Sequence, residues 1–351
     1  MAVGPVGYNG VVSDVAGDEH SPLAPFVRGL PKAEVHLHLE GCVPPELAAS
    51  VARAEGGDPA RFPTLPVRDL AGLLSFLDWS CAHITDPAQL EAIAYGLMQR
   101  AGAGGVQHVD VIANPTHWPA FAGRLGAFVG ALDAGFTAAE HDGLGTATLC
   151  LSLKRTQGAL EADELVAWIL TSGQTRVAAL SIDGNEQDGR ESHTERFRDA
   201  FRRAAAAGLH RCVHAGESSG PQGVRDALDA LLAERIDHGI RCIEDPTLPG
   251  ELAARQVPLD VCPTSNVLLG VVAELADHPI AELRRAGVRI SINTDDPLLY
   301  GIDLLGEYLR VAAAFSWGAD ELRALARTSI ESCFATPERR RELLAAHDRY
   351  D

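Results

Sequence analysis

The stretch KAEVHLHLEG, residues 32–41, sets the reading of the whole chain. Apolar Val35 and Leu37 alternate with His36 and His38, and the run closes on Glu40 and Gly41. Successive side chains of a strand point to opposite faces, so the alternation describes a strand with both imidazoles and Glu40 on one face. A solvated strand face gives the same alternation. The fragment acquires meaning only from what surrounds it.

Working outward, short apolar or β-branched runs recur along the chain. They are VQHVDVIANP (106–115), GTATLCLSLKR (145–155), RVAALSIDGNE (176–186), RCVHAGES (211–218), RIDHGIRC (235–242), VPLDVCPTSN (257–266) and VRISINTDDP (288–297). Stretches of helical period lie between most of them. SHTERFRDAFRRAAAAG (192–208) spaces Phe197 and Phe201 four apart and ends on Gly208, a C-terminal stop. Eight strand candidates alternating with helices predict a (β/α)8 TIM-type barrel in preference to a doubly wound sheet. The segment from about 44 to 104 is too long for one crossover and is expected to form extra helices inserted after strand one. Within it, LAGLLSFLDW (70–79) places Leu70, Leu73, Leu74 and Leu77 at helical spacing, an apolar lid over one end of the barrel. Residues 1–22 are expected to be a mobile N-terminal tail and 23–351 a single barrel domain, since no Gly/Ser-rich linker divides the chain.

Bulk composition narrows the partners. Of 351 residues, 46% are hydrophobic and 22% charged, enough for a sizeable core and too apolar for wholesale disorder. A formal net charge of −18 repels polyphosphates and anionic headgroups, so neither nucleic acid nor membrane is an expected partner. A neutral or cationic small molecule fits better. Seven cysteines with no CxxC pair suit a reducing compartment more than a disulfide framework or a cysteine zinc site. The N-terminus has no basic region followed by a long apolar run, and no stretch of about 18 apolar residues occurs. A cytoplasmic location is expected, with monomer or homo-oligomer left open.

The polar residues gather at the C-terminal ends of the strand candidates, where barrel chemistry is found. Strand one ends in His36 and His38; strand five carries His214 and Glu217; strand six carries Asp237 and His238; strand eight carries Asp295 and Asp296. Singly, such residues are strand-end core histidines and turn acids. Together, imidazoles with a carboxylate make a site for a borderline-soft divalent ion, zinc first, with iron, cobalt or manganese also suited. Such an ion lowers the pKa of a bound water from 15.7 towards about 7, and a further acid and histidine then have work as proton donor and base. Asp260 interrupts the apolar run of strand seven, where an unpaired carboxylate is costly; His238 on the neighbouring strand is its expected partner.

Five of these motifs, HLHLEG, HAGES, RIDHG, CPTSN and NTDDP, in this order and spacing, resemble the adenosine/adenine deaminases of the metal-dependent amidohydrolase superfamily, from about residue 28 to 340. The resemblance implies one divalent metal ion, Zn2+ before others, held by His36, His38, His214 and Asp295. It implies that Glu217 protonates the purine N1 and that His238 accepts a proton from the water. It further implies that Asp296 contacts N7 and the Gly184 backbone contacts N3. The reaction implied is hydrolytic deamination of a 6-aminopurine to the 6-oxopurine plus ammonia. Gly216 and Ser218 are expected to keep the turn around Glu217 small enough for a flat ring to approach.

The match departs from the family pattern at two places that bear on substrate. Glu40 stands where nucleoside-specific members usually have Asp for the ribose 5′-hydroxyl, and Asp237 makes DHG where GHG is usual. Both departures are similar to the branch acting on adenine or on modified adenosines, such as 5′-substituted or futalosine-type nucleosides, whereas SIDGNE is nearer the nucleoside deaminases. Glu40 is accordingly expected at the far end of the substrate. Two rivals stand beside this reading: a hydrolase of another bond using a bridging lysine, for which Lys154 is the candidate, and a metal-free binding protein on the same fold.

Overall fold

A computed structural model describes residues 20–58, 70–186 and 191–350. Most of the expected N-terminal tail lies outside the described residues. Eight parallel strands follow one another around the sheet in chain order: β1 (Lys32–His38), β2 (Val106–Ala113), β3 (Thr146–Lys154), β4 (Val177–Asp183), β5 (His210–Ala215), β6 (Arg235–His238), β7 (Leu259–Val261) and β8 (Ile290–Ile292). The order and the intervening helices are those of a (β/α)8 barrel. All eight runs read from the sequence contain a strand. Their lengths differ, however, and β7 and β8 shrink to three residues each. CPTSN is not strand: Pro263 starts a helix, Pro263–Leu268, as its fixed φ allows at a first helical position.

The seam between β8 and β1 is sewn by residues of the histidine and aspartate motifs. His38 N–H donates to the Asp295 carbonyl at 2.8 Å and Asp295 N–H to the His36 carbonyl at 3.2 Å. The Asn293 side-chain oxygen accepts from the amides of Val35 and His36, at 2.8 and 3.1 Å. Barrel closure therefore fixes His36, His38 and Asp295 relative to one another before any ligand is considered.

Inside the barrel, Arg235 is fully enclosed. Its guanidinium pairs with Asp110 at 2.5 Å and Asp260 at 2.7 Å, donates to the Val35 carbonyl at 2.9 Å, and lies 3.9 Å from the Phe334 ring centroid. Asp260 thus finds Arg235, together with Ser291 Oγ at 2.7 Å, and not His238 as expected. The reason is register: Asp260 pairs with Asp237, so the alternation along β6 puts Arg235, two residues earlier, and not His238 on its face.

Among the described residues, three helices occupy the long excursion after β1: Pro45–Ala54, Leu70–Ala82 and Pro87–Ala103. The last starts with a capping box, Asp86 accepting from Ala88 N–H and Gln89 reaching back to the Asp86 amide. Phe197 and Phe201 are buried as their spacing predicts, and the helix before Gly208 ends at Ala206. Among the described residues all seven cysteines are free and buried, and no helix is long and apolar enough to cross a membrane.

Candidate active site

Every expected ligand reaches one point at the C-terminal mouth. His36 and His38 come from β1, His214 from β5, and Asp295 from just beyond β8; their donor atoms all lie within 4.8 Å of one another. His38 Nε2 faces His214 Nε2 at 3.0 Å, and Asp295 Oδ1 lies 3.2 Å from His36 Nε2 and 3.4 Å from His38 Nε2. Asp295 holds this place with φ 66°, a left-handed conformation rare outside glycine.

The outer nitrogens of two imidazoles are held from behind. His36 Nδ1 lies 3.0 Å from the Asp260 carbonyl, and His214 Nδ1 lies 2.9 Å from the Ile182 carbonyl and 3.2 Å from Asp237 Oδ2. These contacts leave each Nε2 turned to the centre, as in the outer shell of a metal site. Asp237, read from the sequence as a residue bearing on substrate choice, instead stands fully buried behind His214. Ser265, in the CPTSN motif, donates to Asp295 Oδ2 at 2.7 Å, a partnership between motifs 30 residues apart that has no local signature.

Three nitrogens and one carboxylate fit a zinc-type ion. His36 Nε2 is buried and makes no hydrogen bond although Asp295 Oδ1 lies 3.2 Å away, an arrangement natural for an imidazole and a carboxylate that face a common cation.

Beside the cluster is a pocket lined by Glu40, Glu217, His238, Asp296, Asp183 and Gly184, with Leu70, Leu73, Leu74 and Leu77 along one wall. The expected lid helix therefore does cover the site. One carboxylate of that helix, Asp78, meets His117 Nδ1 at 2.5 Å and Lys154 Nζ at 3.6 Å. Lys154 is thus engaged at the rim by the lid and lies outside the donor cluster. A larger cleft of about 480 Å³, lined by Leu97, Arg100 and Arg310 among others, is on the barrel's flank. The donor chemistry is at the smaller pocket.

Three carboxyl groups in the pocket are driven towards their neutral forms. Burial, with Asp295 and Glu186 nearby, pushes Glu217 up to about 8. Burial also raises Asp296 well above the carboxylate range, reinforced by the charges of Asp295 and Glu40. Glu40 is pushed to about 7 by burial. His238 is driven the other way: burial and the neighbouring His36 lower it well below the usual imidazole value. Its Nε2 is 3.6 Å from Glu217 Oε1, and its Nδ1 is 3.3 Å from the Asn266 side-chain amide.

Glu40 departs from its expected place on the strand. β1 ends at His38, and Glu40 opens a short 3-10 turn, Glu40–Cys42, so it does not share the strand face of the histidines. It still lines the pocket. Oε1 accepts from Asn114 N–H at 2.9 Å and Trp118 Nε1–H at 2.8 Å, whereas buried Oε2 has no protein partner. The next residue must be glycine, because a Cβ on Gly41 would stand 2.5 Å from Asp296 Cα. Gly216 also differs from expectation. With φ 70°, its missing Cβ would meet Val224 Cγ2 at 2.6 Å, so it serves the turn and the helix behind it more than the approach of a ring.

A (β/α)8 barrel with a four-donor metal-type cluster and buried acids at its mouth fits the class of metal-dependent hydrolases. The comparisons narrow it. The adenosine deaminase family model matches residues 31–350, and the chain belongs to that family. It is 36% identical over 336 residues to aminodeoxyfutalosine deaminase of Streptomyces coelicolor, covering 92% of this chain and 83% of that protein. The crystal structure of adenine deaminase from Arthrobacter aurescens superposes with TM-score 0.83 at 31% identity, covering 92% and 99% of the two chains. An amidohydrolase from Burkholderia ambifaria, solved with bound Zn, gives TM-score 0.83 at 28% identity over 93% of this chain and 91% of that one.

Proposed function

We propose that this chain catalyses hydrolytic deamination of a 6-aminopurine, giving the 6-oxopurine and ammonia. The observation that carries this reading is the pairing of the four-donor cluster with Glu217 and Asp296, two buried carboxyl groups lining the pocket beside it, whose pKa values burial raises. Purine N1 and N7 are hydrogen-bond acceptors. An ionised carboxylate offers them nothing, whereas a neutral carboxylic acid donates. The relatives named for action on adenine and on aminodeoxyfutalosine support the same class of substrate.

His36, His38, His214 and Asp295 would hold one divalent ion, zinc before others, and the Zn-bound relative supports that choice. When bound, the ion supplies an acidified water and so a nucleophile at neutral pH. Glu217 gives its proton to N1, which draws electrons from C6 and opens that carbon to attack. His238, neutral at its depressed pKa, is placed to take the water's proton. Asp296 donates to N7, and the Gly184 backbone meets N3. The water's oxygen bonds to C6 and the C6–N bond breaks; the amino group leaves as ammonia with the proton taken up by His238, and the remaining hydroxyl proton restores Glu217, leaving the 6-oxo group. Leu70, Leu73, Leu74 and Leu77 exclude bulk water from the ring. The bridging-lysine hydrolase gains no support, because Lys154 pairs with Asp78.

Ammonia release measured over adenine, adenosine and 5′-modified adenosines tests the proposal. Turnover of at least one is expected. Failure with all of them in zinc-loaded protein overturns it.

A further inference from the structure

Glu186 is buried and charged, and the reaction above gives it no task. Its carboxylate accepts five hydrogen bonds. Oε1 takes Gly216 N–H and Ser219 Oγ–H, each at 2.8 Å; Oε2 takes the amides of Glu217, Ser218 and Ser219 at 2.9, 2.8 and 2.9 Å. Consecutive amides converging on one point form an anion-binding nest, and here the anion is built into the chain. Arg155 Nη2 lies 3.7 Å from Oε1 and also donates to the His214 carbonyl. On the far side, a Cβ at Gly223 would stand 3.3 Å from Oε1, so the helix Pro221–Asp229 presses against the carboxylate.

The place of this nest in the barrel gives it a consequence. Ladder pairing between β4 and β5 consists of Ala179 with His210 and Leu180 with Arg211, and goes no further. Beyond those pairs the two strands run on to Asp183 and Ala215, just short of Gly184 and Glu217, without further ladder pairing between them. Side chains span the gap: His214 Nδ1 to the Ile182 carbonyl, and then Glu186 to the whole turn 216–219.

We propose that Glu186 is a positioning residue that sets the separation between the Glu217 carboxyl and the Gly184 backbone, and so fixes the two ring-edge contacts of the purine relative to each other. This rests on the proposed roles of Glu217 and Gly184. Two contacts on separate strands must be held to a fraction of an ångström, since misplacement by about 1 Å costs roughly 10²-fold in rate. Glu186 follows Gly184 by two residues and grips Glu217 at its own amide, so it acts on both. The carboxylate stays ionised: burial opposes this, but Arg155 and the donated hydrogen bonds lower its pKa.

Glu186→Gln keeps the shape and replaces one acceptor oxygen by a donor, leaving part of the nest unsatisfied. The expected result is a 10- to 100-fold lower kcat on the best 6-aminopurine, with KM within about threefold and metal content unchanged. Because Glu186 acts through Glu217, the double variant with Glu217→Gln is expected to be no more than about twofold slower than Glu217→Gln alone. A kcat within twofold of wild type, or losses that multiply in the double variant, overturns the proposal. Should Glu186→Gln not fold, Ser219→Ala removes one of the five bonds and is expected to lower kcat about threefold to tenfold with the same non-additivity; wild-type turnover there overturns it equally. Amide exchange provides a reading independent of activity. Gly216–Ser219 are expected to exchange faster in Glu186→Gln, or in Ser219→Ala, while His210–Ala215 do not, and unchanged exchange overturns the proposal. A wild-type protein that released no ammonia would defeat the deaminase reading and leave the exchange result standing.

Discussion

His38 Nε2 and His214 Nε2 face each other at 3.0 Å. Two protonated nitrogens at that distance repel, and burial lowers His38 to about 4, keeping it neutral at ordinary pH. Two lone pairs converging with Asp295 and His36 Nε2 are satisfied together by one cation. His214→Ala is therefore expected to lose metal and activity together. Plasma emission analysis of the purified variant decides the matter: one ion per chain still present would mean that the ligand set is wrong.

Glu217 is expected to work as the protonated acid. With its pKa pushed to about 8, the active form is present below that value and disappears as pH rises through it. The alkaline limb of kcat should then fall tenfold per unit beyond about pH 8. Glu217→Gln should keep metal and fold while losing roughly 10²-fold or more in kcat. A wild-type profile flat through pH 9.5, or a Gln variant with normal turnover, removes this proton from the reaction.

These two sites were legible in the sequence because their signals are local. HLHLEG, HAGES and NTDDP each sit at one strand end, and period-two runs locate strands without knowledge of their neighbours. What was hidden depends on contacts distant along the chain. Glu186 is 31 residues from Glu217, and nothing in SIDGNE shows where its carboxylate points. Asp260 was assigned His238 from strand adjacency alone. The register, invisible in the residue pattern, sets Asp260 opposite Asp237 and so leaves it to Arg235, which shares that face, and not to His238. Asp237 looked like a substrate residue because it differs from the family pattern, yet its register opposite His214 on β5 puts it behind that imidazole.

Arg235 offers a test of the barrel interior. Replacing it by Met leaves Asp110 and Asp260 buried without their cation, and breaking a buried pair in this way costs about 3–5 kcal/mol. Urea unfolding of Arg235→Met should show that loss. A change below about 1 kcal/mol would mean that the two carboxyls accommodate the change by taking up protons.

The lid is tied down by Asp78, through His117 and Lys154. If the Leu70–Ala82 helix opens to admit substrate, its amides should exchange more slowly once a ground-state inhibitor binds. Asp78→Ala should speed exchange in the free protein and raise KM several-fold. Protection unchanged by inhibitor would make the helix a fixed wall of the pocket.

The choice between free base and nucleoside is expected to rest on Glu40. Shortening it to Asp withdraws the carboxylate by about 1.5 Å, one bond length. That forfeits its bonds to Asn114 and Trp118, so a change of substrate would be mixed with a change of structure. Glu40→Gln is cleaner. The amide oxygen can take over both bonds of Oε1, and the NH2 group then replaces unpartnered Oε2 in the pocket wall. In wild type that second oxygen accepts a hydrogen bond when Glu40 is ionised, and its pKa of about 7 makes the ionised form available at neutral pH. Adenine offers it N9–H, a donor; a nucleoside has no hydrogen on N9. A donor facing a donor leaves both unpaired in a buried site, a mismatch that can discriminate by orders of magnitude. Glu40→Gln is therefore expected to lower kcat/KM for adenine by tens-fold or more and to change it by less than about fivefold for an N9-substituted adenosine. Equal losses on both substrates would show that Oε2 does not read N9, and that the lid and Asp183 choose the substrate instead.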